Sequence, residues 1–312
     1  MLWRWDYLIL SMLLLAEFSQ LGEAVANNKL RRNRQLRSVK AGQLAARRTT
    51  NQARNRNTNR STVGTKKLNQ QRKATTTASK NSAKIQSRIV GGTTSTISTA
   101  KHLVQVRRGS NLCGGSLIDE QWVLTAAHCV RGYPASDFSV RGGTTTLDGS
   151  DGIVRSVDSV HVAPKFTTAK MNMDAALLKL NQSMTGTNIG TITMATSQPK
   201  AGSKLRVAGW GVTSEGSSSA SRTLRAAQLK AVKRNRCKNL YRGRATITNY
   251  MICATGAGKD SCSGDSGGSL SRNSTLYGIV SFGYGCARSR YPGVYTAVNA
   301  IRDWANNVMA NN

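Results

Sequence analysis

Acidic side chains are scarce in this chain, with 14 Asp and Glu against 45 Lys and Arg among 312 residues and a net charge of +31. The scarcity is sharpest in residues 27–88, where 18 Lys and Arg stand without one acid, aromatic or Cys. Such a segment cannot bury enough apolar surface to offset its ordering entropy, which excludes one chain-long globular fold. Beyond residue 16 no run is apolar and long enough to span a bilayer. There is no C-x-x-C pair and no His–Cys cluster with zinc spacing, which speaks against redox or zinc chemistry. What remains is residues 89–312, with 26 basic and 11 acidic side chains and all six Cys.

The N-terminus has its own character. Tyr7 to Ala16 is an apolar run broken only by Ser11, it follows Arg4, and Ala24-Val25-Ala26 supplies small residues in the A-x-A spacing of a cleavage site. The run is too short to cross a membrane at 1.5 Å per residue. As a buried helix it would have no partner, because the basic stretch follows at once. Residues 1–26 therefore read as a signal peptide and the protein as secreted and extracellular. An even number of Cys in an oxidising compartment favours disulfides, with the pairing left open by spacing alone.

Residues 27–88 show no helical or alternating periodicity beyond a few residues and read as a basic, disordered propeptide. Two uses fit: an arm that binds polyanions by counterion release, or a solvated spacer that keeps the precursor soluble. The segment ends sharply at Ser87-Arg88, and Ile89-Val90-Gly91-Gly92 opens a different pattern. Short Val/Ile/Leu-rich runs follow, such as Leu103–Val106, Trp122–Thr125, Leu205–Ala208 and Leu276–Ser281, separated by Gly, Asn, Asp and Ser. That predicts an all-β sandwich or barrel, as two small domains or one large one. Only the tail is helical in pattern, with Ile301, Trp304 and Val308 on one face.

Three stretches put polar groups in apolar surroundings: Thr125-Ala126-Ala127-His128-Cys129, Asn172-Met173-Asp174-Ala175-Ala176, and Asp260-Ser261-Cys262-Ser263-Gly264-Asp265-Ser266-Gly267-Gly268. Singly each has an ordinary explanation: a hydrogen-bonded core His, an Asp at a strand entrance, a Gly-rich turn. Together they supply a base, an orienting carboxylate and a hydroxyl nucleophile, the set a Ser needs to attack a carbonyl near neutral pH. The glycines would let backbone N–H groups converge on an oxyanion.

With Ile-Val-Gly-Gly at 89–92, Ala-Ala-His-Cys at 126–129, Asp-Ala-Ala-Leu-Leu at 174–178, Gly-Trp-Gly at 209–211, Gly-Asp-Ser-Gly-Gly at 264–268 and Pro-Gly-Val-Tyr at 292–295, residues 89–312 resemble a chymotrypsin-fold serine endopeptidase of the trypsin type. The resemblance implies two six-stranded antiparallel β-barrels followed by the C-terminal helix. It implies His128 as general base, Asp174 as its orienting partner, Ser266 as nucleophile, and the N–H groups of Gly264 and Ser266 as oxyanion hole. The implied disulfides are Cys113–Cys129, Cys237–Cys253 and Cys262–Cys286. Asp260 falls where the family places the base of its specificity pocket, with Ser261 at the floor and Gly283 and Gly293 as walls. A buried carboxylate there is costly unless a cation meets it, so cleavage after Arg or Lys is expected. Cutting at Arg88-Ile89 would free an α-amino group to pair with Asp265, and because Arg precedes the cut the enzyme could activate itself.

Some features depart from the family pattern. Phe282 stands where Trp is usual, and the lead segment is neither a short acidic peptide nor a Cys-rich module. The Ser/Gly-rich loop 214–221 is expected to be mobile. Asp148 and Asp151 do not make a convincing calcium loop, so no metal and no cofactor is expected. Asn59, Asn181 and Asn273 head N-x-[ST] sequons. The chain is expected to be a monomer without membrane attachment, acting on proteins or peptides. Two other readings compete: a catalytically silent homologue, which an intact triad argues against, and a basic extracellular protein whose main business is polyanion binding.

Overall fold

The computed structural model describes residues 91–217 and 219–312. The expected leader, the basic segment, the Arg88-Ile89 junction and the Asn59 sequon lie outside the described residues.

Strand pattern and burial agree along the chain. After a two-residue strand β1 (Thr93–Thr94), six strands close into a first barrel: β2 (Leu103–Arg108), β3 (Asn111–Asp119), β4 (Trp122–Thr125), β5 (Ser139–Gly142), β6 (Ile153–Val162) and β7 (Ala176–Leu180). They pair antiparallel in the order β2-β3-β4-β7-β6-β5, and β5 closes on β2 through Val106 opposite Val140. Closure leaves no edge to template aggregation. A single helical turn, α1 (Ala127–Val130), follows β4.

The short strand β8 (Thr193–Met194) leads to the second set: β9 (Lys204–Gly209), β10 (Arg225–Val232), β11 (Met251–Thr255), β12 (Ser269–Arg272), β13 (Thr275–Phe282) and β14 (Gly293–Ala297). These six also close antiparallel, in the order β9-β10-β11-β14-β13-β12, and β12 returns to β9 through Leu270 opposite Val207. β1 adds antiparallel to β10, and β8 lies parallel to β13. β10 shows why such sequences form strands: Arg225, Ala227, Leu229 and Ala231 are buried while Gln228 and Lys230 point to solvent. Between β10 and β11 sits α2 (Arg234–Leu240), and the chain ends in α3 (Val298–Ala310). The two six-stranded barrels and terminal helix are the architecture the resemblance implies.

Each barrel has its own core, around Val104, Leu117, Val123 and Leu178 in the first and Leu205, Leu229, Ile252 and Tyr295 in the second. A third cluster joins them: Leu124 and Leu177 of the first barrel pack with Leu276 and Ile279 of the second and with Val298, Ile301 and Ala305 of α3. That shared core decides between two small domains and one large one in favour of one. The helix face also differs from its pattern in one respect. Ile301 is fully buried, but Trp304 and Val308 are only half-buried, and Val298 and Ala305 complete the stripe. Small Ala305 lets the helix approach closely, which an apolar-residue count overlooks.

Ile301→Ala removes a fully buried side chain from this shared core and is expected to cost about 2–5 kcal/mol. Urea unfolding should show one transition at a lower midpoint, whereas two separated transitions would mean that the barrels unfold independently.

Candidate active site

Thr125 ends β4, and its hydroxyl donates to the Gly114 carbonyl at 2.8 Å. The single turn α1 then sets His128 towards Asp174. The His128 backbone N–H donates to Asp174 Oδ1 at 2.9 Å, and Nδ1 lies 2.7 Å from Oδ2. A carboxylate there accepts from Nδ1–H, and in the neutral imidazole this tautomer leaves Nε2 as the acceptor. Asp174 is fully buried at the entrance to β7. Two contacts come from the second barrel: Ser281 Oγ donates to Asp174 Oδ2 at 2.6 Å, and Thr296 Oγ1 donates to the Asp174 carbonyl at 2.7 Å. Buried charge is tolerated where several donors meet it.

Ser266 sits on the tight turn before β12. The Asp265 N–H donates to Cys262 O at 3.0 Å, and the Gly268 N–H to Asp265 O at 2.9 Å. The turn is pinned to the first barrel by the Gly114 N–H, which donates to Ser266 O at 2.8 Å. Gly267 has φ +81°, and a Cβ there would stand 2.3 Å from Thr125 Oγ1 and 3.1 Å from the Ala126 nitrogen. Only glycine allows this approach, and it brings the Ser266 turn against the backbone two residues before His128. Gly264 has φ +90° with Gly211 close beneath it.

Asp265 is also fully buried, accepting from the Gly211 N–H at 2.8 Å and the Cys262 N–H at 3.0 Å. Burial pushes its carboxyl up to about 6, which the two backbone donors offset only in part. A Cβ on Gly209 would stand 2.2 Å from its Oδ1, and one on Gly211 2.5 Å from its Cγ. The Gly-Trp-Gly motif at 209–211 thus makes room for this carboxylate, a reason its sequence does not carry.

A pocket of about 360 Å³ runs from Ser266 to Asp260, between the strand end at Ser281–Gly283 and the Cys262–Cys286 disulfide. Asp260 is only 4 % exposed; Oδ1 accepts from the Ser261 N–H at 2.9 Å and Oδ2 from the Ala287 N–H at 3.1 Å. Burial raises its carboxyl to about 6, with the two backbone bonds pulling the other way. Gly293 is forced by contact, because a Cβ there would be 2.7 Å from Asp260 Oδ1. Gly283 has less room than an open wall would suggest, since its Cβ would meet Gly285 O at 3.1 Å. Ser261 Oγ is 3.1 Å from the Tyr295 hydroxyl. Phe282 is half-buried, edge-on to Tyr241 with ring centres 6.2 Å apart.

The other disulfides are Cys113–Cys129, beside His128, and Cys237–Cys253, joining α2 to β11. Asn181 and Asn273 are exposed, the latter at the β12–β13 turn. Asp151 takes the Thr144 and Thr146 hydroxyls on Oδ1 at 2.6 and 3.1 Å.

Sequence reasoning missed Ser281 and Thr296, which look like ordinary strand residues, and it missed Glu215. Glu215 lines the pocket mouth: Arg288 Nε donates to its Oε2 at 3.0 Å, a second guanidinium nitrogen bonds Oε1, and the Cys286 N–H reaches Oε2 at 3.4 Å. The loop expected to be mobile is therefore tied at Glu215. It is tied again at Ser221, whose N–H donates to Trp210 O at 2.8 Å. One signal was available, since Glu215 is the lone acid between residues 196 and 255.

Comparison with known proteins points to the same chemistry. The trypsin family model matches residues 89–305. Trypsin beta of Drosophila erecta is 39% identical over 226 residues, covering 72% of this chain and 89% of that protein. Trypsin alpha of Drosophila melanogaster is 40% identical over 223 residues, or 70% and 87% of the two chains. Trypsin alpha-4 of Lucilia cuprina is likewise 40% identical over 223 residues. Two closed barrels, a half-buried His bonded to a buried Asp, and a Ser in a Gly-rich turn pinned to the other barrel define a serine endopeptidase. The chain belongs to the trypsin family.

Ser281→Ala removes one of the donors on Asp174. A hydrogen bond to a charged group contributes about 1.5–3 kcal/mol, so kcat on a peptide amide should fall roughly 10–100-fold with KM little changed. An unchanged kcat would show that Ser281 does not hold Asp174 for catalysis.

Proposed function

We propose that the protein is a secreted endopeptidase that hydrolyses peptide bonds after Arg or Lys and is activated by cleavage at Arg88-Ile89. The observation that carries the specificity is Asp260: a buried carboxylate at the end of a pocket that opens at Ser266, with backbone donors and no cationic side chain bonded to it among the described residues. A substrate guanidinium or ammonium supplies the missing charge. An aromatic or small aliphatic side chain would leave it buried and unpaired.

In this reading Ser266 Oγ attacks the carbonyl while His128 Nε2 takes its proton. Asp174 holds the ring so that Nε2 faces the nucleophile and steadies the imidazolium that forms. The N–H groups of Gly264 and Ser266 receive the developing oxyanion. His128 then returns the proton to the leaving amine, and water repeats the sequence to release the acid.

Asp265 supports the activation step. Fully buried and raised to about 6, it is an acid waiting for a cation, and the α-ammonium of Ile89 released by the cut is that cation. Pairing would hold the Gly264–Ser266 turn in its oxyanion-binding shape. Residues 1–26 act as the export signal and 27–88 as the propeptide, leaving 89–312 as a monomeric peptidase domain. The basic propeptide and the basic surface of the domain attract extracellular polyanions.

The test is hydrolysis of Arg-, Lys-, Phe- and Ala-terminated peptide amides before and after cleavage at Arg88-Ile89, with Ser266→Ala as control. Arg and Lys turnover that appears only after the cut is expected. Turnover of the Phe amide alone, or none from a cut and folded chain, would overturn the reading. Asp260→Ser should lower kcat/KM for Arg substrates by about 10²–10⁴-fold, the effect of breaking a buried ion pair.

The pocket also sets a pH dependence. With Asp260 near 6 when unliganded, a bound cation favours its ionised form, so binding releases a proton below that pH. The affinity for benzamidine should be flat above pH 6 and fall about tenfold per unit below it. The raised carboxyl has the opposite effect on stability: the unliganded fold loses its contribution as pH rises towards 6. A benzamidine affinity independent of pH between 4 and 8 would remove Asp260 from the binding site.

A further inference from the structure

Between residues 196 and 255 the chain carries 12 Lys and Arg and a single acid, Glu215, which is already bound to Arg288. The fold gathers several of these cations on one side of the second barrel. Lys204 on β9 and Lys230 on β10 are register partners, both exposed. Like charges placed directly opposite across a strand pair destabilise it, so the arrangement is one that packing alone does not favour. Beside them a cavity of about 440 Å³ is lined by Lys230, Lys233 and Arg236, over a floor of Ala231, Leu240 and Pro292. None of its lining residues is acidic or aromatic, and among the described residues none of the three cations has an acidic partner. None of its lining residues lines the pocket of Ser266 and Asp260.

We infer that this cavity and the adjoining Lys204–Lys230 pair form a binding site for a sulfated polysaccharide, separate from the catalytic pocket. The inference rests on the proposal that the basic surface attracts polyanions and gives it a place and a ligand class. Three unopposed cations in one concavity fit a run of sulfates, which keep their charge at every physiological pH. The cross-strand pair extends the cationic surface beyond the cavity, as a linear polymer requires. Aliphatic carbons at the floor fit the apolar faces of sugar rings. Nucleic acid is the weaker fit, because single strands bind by stacking bases on aromatic side chains and the cavity lining has none. An anionic membrane is weaker still, because the large apolar side chains exposed among the described residues, Tyr133, Val154 and Tyr284, are not among its lining residues.

The test uses the uncut chain carrying Ser266→Ala, so that the basic lead segment adds the same background to every sample and self-digestion is prevented. Binding of a heparin octasaccharide is titrated over a series of salt concentrations. The variant Lys230→Gln/Lys233→Gln/Arg236→Gln is compared with Lys101→Gln/Arg131→Gln/Lys165→Gln, which removes the same charge from the first barrel. In parallel, acetylation of individual lysines is followed by mass spectrometry with and without the octasaccharide. The expected result is a loss of affinity of about tenfold or more in the first variant, with a salt slope shallower by about two to three ions. The second variant should stay near the parent, and the octasaccharide should protect Lys230 and Lys233 but not Lys101 or Lys165. Equal losses in both variants, with no selective protection, would leave a general polyanion attraction and overturn the site. No binding by the parent chain would overturn the broader reading as well. A DNA duplex or anionic vesicles that bind as tightly as the octasaccharide, and lose as much with the first variant, would overturn the polysaccharide assignment.

Discussion

Asp174 is a buried carboxylate supplied by one barrel and satisfied partly by the other. His128 meets it from the first barrel through its backbone N–H and Nδ1, while Ser281 and Thr296 reach across from the second. If the barrels separated, this group would lose donors that a buried charge cannot forgo. The same docking brings the Ser266 turn onto Gly114 and Thr125. The shared cluster around Leu124, Ile279 and Ile301 therefore does more than add apolar burial. In the proposed mechanism it holds the barrel that carries the base against the barrel that carries the nucleophile.

Three buried carboxylates cluster around this junction, and the fold treats them differently. Asp174 receives side-chain and backbone donors, among them the imidazole. Among the described residues Asp260 and Asp265 each have two backbone N–H donors, and burial raises both to about 6. Glycines surround these two, at 209 and 211 for Asp265 and at 293 for Asp260, each at a place where a Cβ would strike the carboxylate. The backbone thus approaches both acids closely without covering them with another side chain. Among the described residues neither buried acid has a cationic partner, in a domain rich in Lys and Arg. On the proposed reading both are places where a cation from elsewhere would complete the structure, which is the physical content of the activation and specificity proposals.

Much of this was legible from residue types. The Leu103–Val106, Trp122–Thr125, Leu205–Ala208 and Leu276–Ser281 runs all fall within strands, because alternating or short apolar runs bounded by turn residues have few other ways to bury themselves. His128, Asp174 and Ser266 stood out because polar groups in apolar surroundings call for an explanation. What stayed hidden depends on neighbours distant in sequence. Ser281 looks like one more residue of an apolar strand until Asp174 is placed beside it. The role of Gly209 and Gly211 needs the position of Asp265, and the narrow part of α3's stripe needs the strand it packs on. Glu215 was visible as an isolated acid, but its partner Arg288 lies 73 positions away.

The distribution of charge raises a difficulty that the local site alone resolves. If the proposed specificity holds, a strongly basic protein recognises a basic side chain and should repel its own substrate. Counter-ions limit this at range, since at physiological ionic strength exposed charges are largely screened beyond about 8 Å. At shorter range Asp265 and Asp174 lie buried beside Ser266 and His128, and the acids that line the pocket are Asp260 and Glu215, the latter already shared with Arg288. On the proposed specificity, recognition would depend on a short-range, desolvated contact with Asp260 and little on the field of the whole domain, which favours the opposite sign. A polyanion seated on the cations of β9, β10 and α2 would lower that opposing field without touching the pocket.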